Sequence, residues 1–124
     1  MYLLDTNVII DYCNSKLPIQ ARVYIEKLEP AISFITVIEL FAGIGISKEE
    51  KTILEKFVEL SLVYDKIGSD IIDTTIKIRI KSKAKLPDCI IAATAIVHNL
   101  VLLTRNVDDF KNIEGLHVIN PHIL

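Results

Sequence analysis

Five short apolar runs, separated by longer stretches of helical spacing, leave this chain few folds to choose from. The runs are Tyr2 to Leu4, Ile32 to Ile35, Leu62 to Tyr64, Val101 to Leu103 and His117 to Ile119. Brief, apolar strands that alternate with helices predict a parallel sheet buried on both faces, an α/β fold in three layers. With 124 residues, 51% of them hydrophobic, the chain fits one domain spanning residues 1–124 and carries enough apolar side chains for a real core.

The helical stretches have recognisable ends. Lys48 to Leu60 places Ile53, Leu54, Phe57, Val58 and Leu60 on one stripe, and Ser47 with Glu50 forms a capping box at its start. Pro18 suits the first turn of a helix that runs through Leu28, and Pro30 stops it. Asp88 to Asn99 is apolar almost all round and is expected at the centre of the molecule. The run Lys77 to Lys85 alternates charged and uncharged residues like a strand, yet it continues a helical pattern that starts at Ser69 or Asp70. A helix to about Lys81 followed by a loop is predicted.

No uninterrupted apolar run reaches the ~18 residues of a membrane span, and the N-terminus lacks the pattern of a secretion signal. A soluble, cytoplasmic protein is expected, with no membrane partner. Cys13 and Cys89 sit among aliphatic neighbours without metal-ligand spacing and are expected to be buried free thiols. A mean hydropathy of +0.41 predicts that a partner covers some apolar surface. The net charge of -2 gives no global nucleic-acid signature, so any such binding needs a local basic patch.

In a parallel α/β sheet, ligands bind beyond the carboxyl ends of the strands. Asp5 immediately follows the first predicted strand. Glu39 follows the second by four residues, in the first turns of the predicted helix TVIELFAGI. Asp88 opens a crossover helix whose N-terminus returns to that edge, and Asp108 and Asp109 follow the strand LVLLT. Taken singly, Asp5 and Asp88 read as helix caps and Asp108 as a solvated turn. Glu39 resists such a reading, because its surroundings are apolar and an unpaired buried carboxylate is expensive. Caps and surface acids have no reason to share one edge. Clustered carboxylates repel unless a cation neutralises them, and hard oxygen ligands select Mg²⁺ or Mn²⁺, a site suited to activating water for phosphodiester hydrolysis.

The segments LLDTNVIID, SFITVIELFAGI, LPDCIIAATAIVHNLVLLTRNVDDF and GLHVINP, in that order, resemble PIN-domain ribonucleases, most closely the VapC-type toxins of toxin–antitoxin pairs. The resemblance spans essentially the whole chain. It implies a PIN-like three-layer sandwich, a parallel sheet of about five strands flanked by helices. It also implies a divalent-metal site, cleavage of single-stranded or structured RNA, a homodimer, and an inhibitory antitoxin near the site; in-line attack by a metal-activated water would leave 5′-phosphate and 3′-hydroxyl ends.

Carried over by position, the first three catalytic acids fall on Asp5, Glu39 and Asp88; the fourth falls within TRNVDDF, where some members have an acid at the position of Asn106 and others at that of Asp109, and Asp109 is taken here. Asp5, Asp88 and Asp109 would hold the metal, and Glu39 would reach it directly or through water. Asn7 and Thr104 resemble the amide and hydroxyl that orient the acids, and Asn106 a second polar ligand or water holder. Two positions depart from the family. SKAKLPD lacks the glycine common before the third acid, and Asn99 stands where glycine is common.

Lys81, Lys83 and Lys85, with Lys77 and Arg79 before them, would either track RNA phosphates or form a solvated face. Arg105, beside the fourth acid, is a further phosphate-contact candidate. The stripe on Lys48 to Leu60 would be core, dimer face or antitoxin groove.

Other classes fit less well. A phosphatase with an aspartate nucleophile wants a second aspartate where Asn7 stands, and a receiver domain wants paired acids ahead of the phosphorylated one. A catalytically silent PIN-like binding module remains the alternative.

Overall fold

The computed structural model describes residues 1–43 and 45–124. Three βαα units lead into the fourth strand. They comprise β1 (Tyr2–Leu4), α1 (Thr6–Cys13) and α2 (Ile19–Glu26); β2 (Ala31–Ser33), α3 (Phe34–Phe41) and α4 (Lys48–Glu59); and β3 (Leu62–Tyr64), α5 (Ser69–Lys81) and α6 (Leu86–Val97). Next come β4 (Val101–Leu103), a 3₁₀ turn Val107–Asp109, β5 (Val118–Ile119) and a 3₁₀ turn Pro121–Ile123. All strand pairs are parallel, in the order β3-β2-β1-β4-β5.

β1 is central, with Leu3 opposite both Ala31 and Leu102, and Leu4 opposite Leu103. Successive strand residues point to opposite faces, and the core divides accordingly. Leu3, Ala31 and Leu102 pack with α5 and α6 through Ile71, Ile78 and Ile91. Leu4, Ile32 and Leu103 pack on the other face with Val8, Ile9, Ile25, Leu40 and Leu54 from α1 to α4. The three-layer expectation is met. α6 is the most enclosed helix, with Ile91 to Ala95 all buried.

Several expected boundaries move. β2 ends at Ser33 rather than Ile35, because the Ser33 hydroxyl accepts from the Ile35 amide at 3.2 Å and opens α3 one residue after the strand. The predicted helix TVIELFAGI thus starts two residues early, at Phe34, and ends at Phe41; its last residue, Ile44, lies outside the described residues. α6 starts at Leu86, which puts Asp88 in its first turn. α5 stops at Lys81 as expected, and Ser47 caps α4 through the Glu50 amide at 3.0 Å. Asn99 adopts φ +55°, a left-handed position that asparagine tolerates and that glycine would fill without strain. Cys89 is buried but Cys13 only half-buried, and both are free thiols. No described helix is long and apolar enough to cross a membrane.

Candidate functional site

Asp5 leaves the carboxyl end of the central strand and caps α1, its Oδ1 accepting from the Thr6 amide at 2.8 Å. That is the capping role its position suggests, but only one oxygen performs it. Oδ2 accepts from the Thr104 hydroxyl at 2.8 Å and from Asn7 Nδ2 at 3.1 Å. Thr104 is fully buried just after β4, so two neighbouring strand ends fix one carboxylate between them. Burial pushes the Asp5 carboxyl above its ordinary range; hydrogen bonds from Thr104, Thr6 and Asn7 pull it back, and the charge of Asp109 adds to the rise.

Asp88 is not a cap. α6 begins after Lys85, which makes no side-chain capping bond, and Asp88 projects from the first turn into the acid cluster. Its carboxyl is pushed up to about 6, first by burial and then by the charges of Asp5, Asp109 and Glu39, with Lys85 opposing. Acids from three other segments therefore act on Asp88, as a common strand edge leads one to expect.

Glu39 reaches the cluster differently from the sequence expectation. It lies in the second turn of α3 and is exposed, so the desolvation argument does not apply to it. Its Oε1 accepts from the Thr6 hydroxyl at 2.8 Å, which ties α3 to the start of α1. Asp109 ends the 3₁₀ turn Val107–Asp109, exposed, with its amide donating to the Asn106 carbonyl at 3.1 Å. Asn106 donates its own amide to Thr104 Oγ1 at 3.1 Å. A cleft of about 290 Å³ runs beside the acids, lined by Lys83, Lys85, Asp88, Asp108, Asp109 and Asn112. Lys81 closes α5 just before it, exposed.

Arg105 is turned elsewhere. Its Nη1 donates to both oxygens of Asp11, at 3.1 and 3.0 Å, while its side chain is half exposed. Sequence reasoning passed over Asp11, and His122 with it: His122 Nε2 lies 2.9 Å from Asp11 Oδ2. The signal was present. Asp11 interrupts the apolar run VIIDYC, and it is the buried acid that Glu39 was taken to be.

Oxygen donors from Asp5, Asp88, Asp109 and Glu39 suit a hard divalent cation, which would offset both the burial of Asp88 and the repulsion that together push its carboxyl up. Among the described residues, no three Asp, Glu, His or Cys side chains converge on one coordination point. The fit is therefore one of donor chemistry and mutual repulsion.

The family model for the PIN domain matches residues 2–116. Ribonuclease VapC1 of Methanocaldococcus jannaschii is 36% identical over 90% of this chain and 80% of its own. Ribonuclease VapC1 of Rickettsia felis is 32% identical over 94% of this chain and 93% of its own. Among solved structures, a toxin–antitoxin complex from Klebsiella pneumoniae contains a chain that superposes with a TM-score of 0.77 at 33% identity, covering 98% of both chains.

Proposed function

The chain belongs to the PIN-domain family, and on that premise we propose that it is a metal-dependent endoribonuclease, the toxin of a toxin–antitoxin pair. The observation that carries the reading is the gathering of Asp5, Glu39, Asp88 and Asp109 at one sheet edge, where burial and the charges of the other three push the Asp88 carboxyl up. Asp5, Asp88 and Asp109 would hold Mg²⁺ or Mn²⁺, with Glu39 beside them. Bound there, the ion would supply charge for the phosphodiester transition state and acidify the attacking water.

The protein's own part is positional. Thr104 and Asn7 hold Asp5 in one rotamer, Thr6 holds Glu39, and Asn106 is set for a polar contact at the rim by the hydrogen bond its main-chain amide donates to Thr104 Oγ1. Lys83 and Lys85 flank the cleft that contains Asp88 and Asp109, with Lys81 just before them. That placement favours a phosphate track over a solvated face.

Two surfaces fit protein partners. A groove of about 190 Å³, lined by Ile10, Leu40, Ile46, Ile53 and Leu54, opens beside Glu39 and suits an antitoxin segment that reaches the acids. The exposed isoleucines of α5, Ile72, Ile76 and Ile80, suit a second copy in a homodimer. Antitoxin, RNA and toxin would meet in the cytoplasm.

The test is cleavage of a labelled RNA pool in Mn²⁺ or Mg²⁺, against EDTA, with calorimetric Mn²⁺ titration alongside. Cleavage that disappears in EDTA and in Asp88→Asn, and a Lys83→Glu variant with raised KM, are the expected results. Absence of both cleavage and Mn²⁺ binding would overturn the nuclease reading in favour of the silent binding module.

A further inference from the structure

Asp11 is 3% exposed and touches none of the four acids, yet both its oxygens are engaged. A buried carboxylate offers only acceptors, so each neighbour must bring a proton. Arg105 Nη1 donates to both oxygens, and the Nε2 of His122 supplies a third contact at 2.9 Å. For the imidazole to serve there, its Nε2 must carry hydrogen.

Asn7 and Asp11 lie four residues apart on α1 and so share one face of that helix. Between them they grip a single residue at two points. Asn7 Oδ1 accepts from the Arg105 main-chain amide at 2.9 Å, and Asp11 accepts from the Arg105 side chain. Two-point attachment fixes both the position and the direction of the chain as it leaves β4. The next residues are Asn106 and the turn that ends in Asp109.

We propose that Asp11 is a positioning residue of the active site: through Arg105, with His122 of the C-terminal turn as second donor, it sets the loop that presents Asn106 and Asp109. The inference rests on the nuclease reading above. Arg105 then serves the reaction from behind the loop, and its guanidinium belongs to Asp11 rather than to an RNA phosphate. Partners of metal ligands change metal affinity or activity about 10–100-fold when lost, and Asp11 stands one contact further out, so an effect at the low end of that range is expected.

The experiment compares Asp11→Asn, Arg105→Met and Arg105→Lys with the wild type in the full chain, by amide hydrogen exchange and by RNA cleavage in Mn²⁺. Arg105→Met guards against a folding failure at buried Asp11, because the arginine is half exposed. Expected are faster exchange at residues 104–110 in Asp11→Asn and Arg105→Met, with α6 unchanged, and kcat lowered about tenfold at nearly constant KM. Arg105→Lys, which keeps one charged donor for Asp11, should regain most of the turnover. A raised KM in Arg105→Met with Asp11→Asn fully active would assign the arginine to phosphate and overturn the proposal. So would exchange that accelerates evenly over the chain with kcat intact. Wild-type protein that neither cleaves nor binds Mn²⁺ would remove the nuclease reading itself, and the proposal with it.

Discussion

Thr104 donates its hydroxyl to Asp5 Oδ2 at 2.8 Å, joining residues ninety-nine positions apart at the ends of adjacent strands. Thr104 Oγ1 in turn accepts from the Asn106 amide at 3.1 Å and from Asn7 Nδ2 at 3.3 Å. One buried hydroxyl thus orients the central acid and the start of the loop that carries the fourth.

Thr104→Val keeps the shape and removes that oxygen. Asp5 loses its strongest partner and the Asn106 amide loses its acceptor, a loss of about 2 kcal/mol for hydrogen bonds to a charged, buried group. The Asp5 carboxyl should rise further, because a bond that favours its ionised form is gone. Urea denaturation should show the lower stability, and the acid limb of the cleavage profile should move to higher pH. A valine variant as stable as the wild type, with the acid limb unmoved, would show that Thr104 merely fills space.

Asp88 makes a prediction with a definite sign. Its carboxyl titrates at about 6 in the folded protein against an ordinary value of 3.8, so ionisation is harder folded than unfolded. The stability that its protonated form contributes is fully present below pH 3.8 and is lost as pH rises through about 6. Because the group is partly wetted, solvent screening reduces the effect to ~1 kcal/mol. In EDTA, thermal midpoints of the wild type should therefore fall between pH 4 and 6 relative to those of Asp88→Asn, and Mn²⁺ at pH 7 should recover the difference in the wild type alone. Parallel curves for the two proteins would mean that the four acids do not repel in solution.

The fold was legible because strand and helix signals agreed with one another. Apolar runs of three residues, Pro30 and the Ser47–Glu50 pair marked most ends within a residue or two. β2 was misjudged because Phe34 and Ile35 continue its apolar run, while the deciding interaction is a single serine hydroxyl on an amide. The four acids could be placed at one edge from topology alone, which needs only the order of strands and helices. Glu39 was misread for a local reason. Apolar neighbours on a helix indicate burial of the helix, not of every side chain on it, and Glu39 occupies its wet side. Asp11, breaking the apolar run VIIDYC, was legible as a buried acid, but its contacts with Arg105 and His122 were not. They join α1, the end of β4 and the last turn of the chain, and no spacing within any one segment announces them.

The outer face of α5 carries the last prediction. Ile72, Ile76 and Ile80, four residues apart, are 49%, 51% and 78% exposed, which places an apolar stripe on a helix whose other side packs against α6. The helix is acidic in its first half, at Asp70 and Asp73, and basic in its second, at Lys77 and Lys81. An antiparallel copy of the same helix would lay isoleucine on isoleucine and acid over base, the self-complementarity that a two-fold interface requires. Covering the remaining half of each isoleucine contributes about 1 kcal/mol. Ile76→Glu, which acts on both copies at once, should weaken the dimer by about 2 kcal/mol or more, some thirtyfold in Kd. Sedimentation equilibrium should show a wild-type dimer and a variant shifted to monomer with unchanged circular dichroism. A monomeric wild type, or a variant that associates as strongly, would remove α5 as the contact between copies.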